Sequence, residues 1–353
     1  MIMREPPSLS IIIPALNEAG HLPQLLNDLS RQQQVELETI VVDGGSRDET
    51  LSACQPFLEI PSLNLQLLNS EPGRGRQMNM GANTAAANDY LFLHADSRID
   101  DPGLLYNAKQ HMDKTRARQS NNSVAGHFPL RFITNIKTAN PYYFYECKTH
   151  LNRPDCINGD QGYWLAKEYF DWLGGFDDSL PYMEDAKLAA RIFDSGQWIT
   201  LPGTLATSAR RFETEGFTQR QIINSFLCNF HAMGVDDFFH HALEAYQAQH
   251  ESDRLPMRPL LKLAHQQMNG DGITTAVRRW YQTGAYIAGN AWQLAFALDC
   301  RRNRKQQLPP GDHNIRWLVF YDNHIASIMN WSAVKLITAF VTIIWFYSLF
   351  VTQ

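Results

Sequence analysis

Asn88-Asp89-Tyr90-Leu91-Phe92-Leu93-His94-Ala95-Asp96-Ser97-Arg98 is the stretch on which the reading of this chain turns. Strand-like, mostly apolar residues at 90–94 run straight into metal-capable and charged side chains. In an open α/β sheet, ligands bind beyond the carboxyl ends of the strands, so a carboxylate that arrives as a buried strand surfaces is placed for chemistry. Taken alone, an Asp at such a point is first of all a turn residue. The rest of the chain decides between the two.

Upstream, the pattern is strand alternating with helix. Ser8 to Leu16 is an apolar run of the kind found in buried parallel strands, closed by Pro14 and followed by Asn17-Glu18. Leu22, Leu25, Leu26 and Leu29 then recur at helical spacing. Glu38 to Val42 is a second strand, broken by Asp43-Gly44-Gly45-Ser46, with Ser46 a candidate cap for the helix begun by Asp48-Glu49-Thr50. Leu63 to Leu68 alternates as a third strand, Asn69 to Asn79 reads as a loop rich in Gly and Arg, and Gln77 to Ala87 as an Ala-rich helix. Strands alternating with helices over these residues imply a doubly wound, mostly parallel sheet with right-handed crossovers.

Downstream, the polar run Lys114 to Ser123 reads as a surface loop, and Val124 to Phe132 as a strand leaving the parallel series. Tyr142-Tyr143-Phe144-Tyr145 is either core packing or an acceptor-facing wall, with core favoured. Glu184-Asp185 opens a helix, where the dipole favours negative charge. After residue 235 the texture becomes helical: His240 to Ala248, Leu260 to Met268 and Thr274 to Leu298, separated by Pro256, Pro259 and Gly270-Asp271-Gly272. The organisation expected is a sheet domain over 1–235, a helical extension over 236–330 and an apolar helix over 331–351.

Bulk properties exclude several classes. At 353 residues, 44% hydrophobic and 19% charged, the chain is long and apolar enough for a substantial core. A net charge of −5 speaks against a nucleic-acid binder. Cys54, Cys147, Cys156, Cys228 and Cys300 are scattered without a Cys-x-x-Cys pair, as expected of free thiols in a reducing compartment. Met1 to Pro7 lacks the apolar core of a signal peptide. On that reading, Asn121-Asn122-Ser123 and Asn330-Trp331-Ser332 match the glycosylation pattern by chance.

The chemistry-bearing residues form an ordered series. Gly73-Arg74-Gly75-Arg76 fails the dinucleotide fingerprint, since Met78 stands where a third glycine is required. Its two arginines still suit a diphosphate, which takes bidentate cations. Asp43, at the end of the second strand, has the geometry of Asp96 and suits either a turn or hydrogen bonds to a nucleotide base. Glu184-Asp185 can supply a general base, and an adjacent pair places one member inward and one in a structural role. His231, His240 and His241 lack the spacing of a zinc site.

Taken together, the series resembles the family-2 nucleotide-sugar glycosyltransferases of the GT-A fold over roughly 8–235. The resemblance rests on Ser10-Ile11-Ile12-Ile13-Pro14-Ala15-Leu16-Asn17-Glu18, Ile40-Val41-Val42-Asp43-Gly44-Gly45-Ser46-Arg47-Asp48-Glu49-Thr50, Gly73-Arg74-Gly75-Arg76-Gln77-Met78-Asn79, Phe92-Leu93-His94-Ala95-Asp96-Ser97, Gly159-Asp160-Gln161-Gly162 and Glu184-Asp185. The His-Ala-Asp form and Ser208-Ala209-Arg210-Arg211-Phe212-Glu213 look most like a bacterial subgroup of short family-2 enzymes. The resemblance implies inverting transfer from a nucleoside diphosphate sugar to an acceptor hydroxyl. Pro14, Glu18 and Asp43 would line the nucleoside pocket, Arg74 and Arg76 would lie near the donor, and Asp160 and Gln161 would fall on the acceptor side. Asp96 would bind a divalent cation and Asp185, beside Glu184, would be the base. Arg210 and Arg211 are assigned to the leaving diphosphate from their charge.

One departure stands out: many relatives have Asp-x-Asp where this chain has His94-Ala95-Asp96. An imidazole in place of a carboxylate suits Mn²⁺ better than Mg²⁺, so either ion stays open, with His94 favoured as a ligand. The rival readings are a nucleotidyltransferase acting on a sugar phosphate and a non-catalytic scaffold of the same fold.

Trp331 to Val351 is long enough to span a bilayer, although Ser332, Thr338, Thr342, Ser348 and Lys335 interrupt it. A helix lying in the interface or packed on the protein is the alternative. With Arg301-Arg302-Asn303-Arg304-Lys305 and Trp317, Phe320 and Tyr321 nearby, the expectation is attachment to the cytoplasmic face of the inner or plasma membrane. It carries with it a lipid-linked or membrane-proximal acceptor and a role in the bacterial cell envelope.

Overall fold

The computed structural model describes residues 7–119, 122–135, 141–235, 237–247 and 257–352. The N-terminal stretch to Pro6, Asn121 of the Asn-Asn-Ser pattern, Ala248 and Pro256 fall outside them. The chain forms two compact units, Met1–Ser208 and Ala209–Gln353.

The first unit is the expected α/β fold around a mostly parallel sheet. Its strands are β1 (Leu9–Ala15), β2 (Leu37–Asp43), β3 (Leu65–Asn69), β4 (Asp89–Phe92), β5 (Val124–His127), β6 (Leu130–Ile133), β7 (Tyr163–Ala166), β8 (Gln197–Thr200) and β9 (Leu205–Ser208). Seven of them form one sheet in the order β3-β2-β1-β4-β7-β5-β8, and β6 pairs with β9 in a second. Pairing is parallel from β3 through β4 and between β5 and β8, while β7 runs antiparallel between β4 and β5. The helices are α1 (Leu22–Ser30), α2 (Thr50–Cys54), α3 (Arg74–Thr84), α4 (Leu104–Gln119), α5 (Tyr143–Lys148), α6 (Lys167–Leu173) and α7 (Glu184–Ser195).

The core explains the parallel half. Every residue of β1 and β2 is buried, as a strand covered on both faces requires. Leu9, Ile11 and Ile13 of β1 join Leu22, Leu25, Leu26 and Leu29 of α1 in one cluster. The opposite face of β1 receives α3 so closely that a Cβ at Gly81 would lie 2.5 Å from Ile12 Cγ2. Because β2 and β3 lie on one side of β1 and β4 on the other, the winding reverses between β1 and β4. A ligand crevice belongs at that reversal.

Several local expectations are corrected. Arg74 and Arg76 lie in the first turn of α3, not on a loop. Gly73, at φ +143°, turns the chain, and Gln77 N–H already donates to Gly73 O at 2.9 Å. α4 continues to Gln119 because Leu104, Leu105, Ala108 and Met112 bury one face, so most of the expected loop from Lys114 is helical. The stretch from Val124 to Phe132 is two strands, since Pro129 has no N–H to continue a ladder. Ser46 does not cap α2. Its hydroxyl donates to Asp43 Oδ1 at 2.5 Å, and Asp48 Oδ1 accepts Thr50 N–H at 3.0 Å instead. Tyr142 and Tyr143 are core residues, Tyr142 stacking on Phe132 at 4.8 Å.

The second unit is helical: α8 (Arg210–Glu215), α9 (Phe217–Met233), α10 (Asp237–Gln247), α11 (Met257–Asn269), α12 (Ile273–Gly289), α13 (Trp292–Lys305), α14 (Arg316–Phe320), α15 (Ala326–Met329) and α16 (Ser332–Thr352). The break between units falls at 208/209, ahead of 235, because α9 packs into the helical unit. Asn229 Nδ2 of α9 donates to Thr283 Oγ1 of α12 at 3.0 Å. The single helix read over Thr274 to Leu298 is two, divided where Asn290 N–H closes back onto Tyr286 O and Ile287 O. The basic run from Arg301 is the last turn of α13, where cations face the negative helix end.

In the first unit, the loop after β4 is anchored by a charge cluster. Asp28 on α1 is fully buried; its Oδ2 accepts Arg98 Nε at 2.5 Å and Ile99 N–H at 3.1 Å, and its Oδ1 accepts from Arg31 at 2.5 Å. Burial alone would raise the Asp28 carboxyl, but the hydrogen bonds from Arg98 and Ile99 and the arginine charges hold it below its ordinary value of 3.8. A folded-state value below the unfolded one adds stability above pH 3.8, which is lost as pH falls through the folded value. Asp28→Asn should therefore cost about 3 kcal/mol near neutrality, by leaving Arg98 without its buried partner. Its stability should also decline less steeply than the parent's on acidification below pH 4. Urea denaturation at pH 7 and across the acid range reads both effects.

Candidate functional site

Two groups of side chains meet at the carboxyl ends of the first unit's strands. The first belongs to β1 and β2. Pro14 and Asp43 are both buried in these strands, and Ala15 pairs with Asp43. Asp43 Oδ2 accepts Gly45 N–H at 3.0 Å and Ser46 N–H at 2.9 Å. The turn role weighed from sequence is thus present. With three bonds accepted, lone pairs on the carboxylate stay available. The loop after β1 is sewn to the loop after β2: Asn17 N–H donates to Ser46 Oγ at 2.8 Å and Glu18 N–H to Thr50 Oγ1 at 2.8 Å. Glu18 Oε2 lies 3.1 Å from His21 Nδ1. Beneath both loops the buried Gln77 side chain donates to Ala15 O at 2.9 Å and Val42 O at 2.7 Å. It fixes the ends of both strands relative to α3.

The second group is centred on α7. Met183 takes φ +67°, uncommon for a residue with a side chain, and sets the start of the helix. Glu184 is 0% exposed and pairs with the Arg74 guanidinium through its Oε1. Asp185 is half-buried. Its Oδ2 accepts Gly159 N–H at 2.8 Å, its Oδ1 accepts Ala186 N–H at 2.8 Å, and Arg74 Nη2 lies 3.6 Å from Oδ1. Burial works against the Arg74 charge, but the Glu184 and Asp185 carboxylates raise its pKa and keep it protonated. Of the two acidic neighbours, one is sealed by an ion pair and the other reaches the site.

The turn Gly159–Gln161 joins this group to the end of β4. Asp160 Oδ1 lies 2.5 Å from His94 Nδ1. A Cβ on Gly159 would sit 3.0 Å from both Asp185 Oδ2 and His94 Nε2, so these two atoms flank a space no larger than a methyl group. The turn itself is held from below. Gln161 Oε1 accepts Asn158 N–H at 3.0 Å, and its Nε2 donates to His127 Nδ1 at 2.8 Å and Thr149 O at 3.1 Å. Burial lowers the His127 pKa to about 4. The neutral ring can then accept from Gln161 at Nδ1 and donate from Nε2 to Asn152 Oδ1 at 2.7 Å. Gln161 is 0% exposed with its amide committed to the turn, and Asp160 is the more exposed of the two residues expected on the acceptor side.

Asp96 surfaces just past β4, half-buried, and makes no hydrogen bond or ion pair with any of the described residues. Arg76 is exposed on the first turn of α3. Arg210 and Arg211 are exposed and open the first helix of the second unit. The cysteines are free thiols. Among the described residues no group of three or more His, Cys, Asp or Glu is arranged to hold a metal ion.

Sequence reasoning missed four contributors: the Gly159 N–H, Gln77, His127 and the Asp28–Arg98 anchor. Gly159 carried a signal, since it stands within the Gly-Asp-Gln-Gly quartet. Gln77 likewise stands in the Gly73–Asn79 motif, while His127 and Asp28 act through burial, which single residues do not advertise.

Comparison with known proteins bears on this geometry. Residues 10–167 match the family described as Glycosyl transferase family 2. The PGL/p-HBAD biosynthesis glycosyltransferase of Mycobacterium tuberculosis is 40% identical over 96 residues, covering 26% of this chain and 37% of that protein. A dolichyl-phosphate beta-glucosyltransferase of Dictyostelium discoideum is 36% identical over 77 residues, 19% of this chain and 24% of its own length. This chain thus spans well under half the length of these relatives. Among solved structures, a mannosyltransferase from Pyrobaculum calidifontis in complex with GDP-Man and Mn²⁺ is 19% identical, with a TM-score of 0.49 over 97% of this chain and 88% of that one. The sheet strands β1 to β7 and the turn that carries Gly159 and Asp160 fall within or at the edges of the region that matches the family.

Proposed function

We propose that the first unit transfers a sugar from a nucleoside diphosphate sugar to an acceptor hydroxyl in a single displacement that inverts the anomeric centre. The observation that carries this reading is the braced carboxylate of Asp185, set across a methyl-sized space from His94 and joined to the strand end where Asp96 emerges without a partner.

Asp185 takes the proton of the acceptor hydroxyl as its oxygen forms a bond to the anomeric carbon and the bond from that carbon to the diphosphate breaks. The N–H groups of Gly159 and Ala186 hold the carboxylate in one orientation, so little reorganisation is needed as the proton moves. Glu184 is enclosed by its ion pair and leaves Asp185 as the accessible member of the pair, as a mechanism with one base and no second carboxylate requires. Arg74 braces these two carboxylates, which moves the role of donor-side cation on α3 to the exposed Arg76. Pro14, Glu18 and Asp43 form the nucleoside side, and Asp160 faces the acceptor. Arg210 and Arg211 are assigned to the departing diphosphate on charge alone.

Asp96, which makes no bond to a described residue, would hold a divalent cation at the end of β4, and with Asp160 on its Nδ1, His94 has Nε2 left as a ligand. When bound there, Mn²⁺ or Mg²⁺ would offset the negative charge of the diphosphate.

We further propose that the chain works at the cytoplasmic face of a membrane on a lipid-linked acceptor. This reading is supported by one helix long and apolar enough to cross a bilayer, Ser332–Val351, and by the dolichyl-phosphate named in one relative.

Incubation with UDP-, GDP- and dTDP-sugars in the presence of Mn²⁺, with release of nucleoside diphosphate as the readout, tests the activity. Asp185→Asn should lower turnover about 100-fold or more, and Asp96→Asn should raise the Mn²⁺ concentration needed for half activity. Glu184→Gln should instead act on stability, costing about 1 kcal/mol, since Arg74 is partly exposed and keeps Asp185 as a partner. Unchanged turnover in Asp185→Asn would overturn the assignment of the base.

A further inference from the structure

The second unit carries its longest helix on its outside. α16 buries Ala339, Thr342 and Phe346, which recur three and four residues apart and so form one stripe. That stripe lies on α12: a Cβ at Gly284 would come within 2.3 Å of Lys335 O and 2.6 Å of Ala339 N. Four residues earlier, Trp280 meets Phe346 edge-on at 5.5 Å between ring centroids, so the two helices run antiparallel. Near its end, α16 also reaches α11, with Tyr347 OH 3.2 Å from His265 Nδ1.

The opposite face is apolar and open. Leu336, Ile337, Phe340, Val341, Ile344 and Trp345 are between 42% and 64% exposed, and of the most apolar stretch of the helix only 17% is buried. A contiguous patch of this kind exceeds what a soluble surface ordinarily leaves to water. The hydroxyls that interrupt the helix do not oppose burial in hydrocarbon. Thr338 donates to Val334 O at 2.8 Å, Thr342 to Thr338 O at 2.7 Å and Ser348 to Trp345 O at 2.6 Å. Each donor is satisfied within the helix, as a lipid environment demands.

Charge points to what covers the face. Residues 209–353 carry 14 Lys and Arg against 11 Asp and Glu, whereas residues 1–208 carry 17 against 25. The acidic chain therefore concentrates its positive charge in the unit that bears the apolar helix, and Arg301, Arg302, Arg304 and Lys305 are exposed at the end of α13. That balance is complementary to an anionic lipid surface.

We propose that α16 seats this protein on an anionic bilayer by lying in the interface, its outward face in hydrocarbon and its inward stripe on α12, without crossing. This rests on the membrane association proposed above and fixes its mode. A crossing helix would take α12 to the same depth. α12 places Arg278, exposed, and Arg279, paired with Asp271 at 2.8 Å, within two residues of Trp280. Arginines at the bilayer centre are strongly disfavoured, and separation from α12 would open the close contact at Gly284.

The test uses the purified full chain and vesicles of phosphatidylcholine with or without phosphatidylglycerol. Flotation should be stronger with the anionic lipid and weaken as salt is raised. The double substitution Phe340→Glu with Ile344→Glu should reduce partitioning about 100-fold or more while leaving far-UV circular dichroism and the melting temperature unchanged. A protease-cleavable tag placed after Gln353 should be cut from outside sealed vesicles to which the protein was added. A tag protected until detergent is added would overturn in-plane seating and leave membrane association standing. Failure to float with either lipid would overturn both. Failure to float, with a dimer that the double substitution dissociates, would instead assign the face to a second copy of this chain.

Discussion

The ion pair between Arg74 and Glu184 joins two helix starts that lie 110 residues apart in sequence. Glu184 has no exposure, and a carboxylate so enclosed is tolerated only when a cation stays with it. The first turn of α3 and the first turn of α7 are thereby held together, and α3 also lies close to the segment that precedes α7. A Cβ on Gly75 would lie 3.1 Å from Asp177 O. The Asn79 amide adds a second tie, accepting Phe176 N–H at 2.9 Å and donating to Phe176 O at 2.8 Å. Asp185 inherits its position from its neighbour. The two acidic neighbours are thereby divided, Glu184 enclosed in its ion pair and Asp185 half-buried beside it.

A second support comes from beneath. The turn that offers Gly159 N–H to Asp185 and Asp160 to His94 is fixed by Gln161, whose amide meets the ring of His127. With its pKa lowered by burial to about 4, that ring stays neutral throughout the neutral range, keeping one nitrogen as acceptor and the other as donor. A protonated ring would present a donor to the Gln161 amide hydrogens and undo the turn. The burial of His127 beside Trp198, at 5.8 Å between ring centroids, thus protects a geometry two contacts away.

The extent to which this was legible in sequence follows from where the information sits. β1 and β2 announced themselves because strands covered on both faces read as unbroken apolar runs, and Asp43 and Asp96 followed as the polar residues at their ends. Arg74 and Arg76 misled, because Gly73 and Gly75 suggest a loop when Gly73 alone turns the chain and Gly75 permits close packing. That the adjacent Glu184 and Asp185 would differ was foreseeable from adjacency; the enclosure of Glu184 depends on Arg74, a contact over 110 residues. Gln161 looked functional because it sits in a motif, yet its amide faces inward. The break between α12 and α13 depends on Asn290 closing a helix end, a weak local signal beside strong apolar periodicity on both sides.

Asp96 is best understood against the other acidic residues of its unit. Asp28 holds Arg98 and Arg31, Asp43 holds its own turn, Asp89 pairs with Arg116 at 2.7 Å, and Asp177 with Lys187 at 2.6 Å. Each gives up its charge or lone pairs to the fold. Asp96, half-buried where the winding of the sheet reverses, gives up neither to any described residue. Its nearest motif neighbour, His94, is by contrast tightly oriented by Asp160, leaving its second nitrogen turned toward the same crevice as Asp185. One group is thus oriented by the fold, and the other is left uncommitted by the described residues. In the proposed transfer these are the two groups at the end of β4 available to a cation that arrives with the donor.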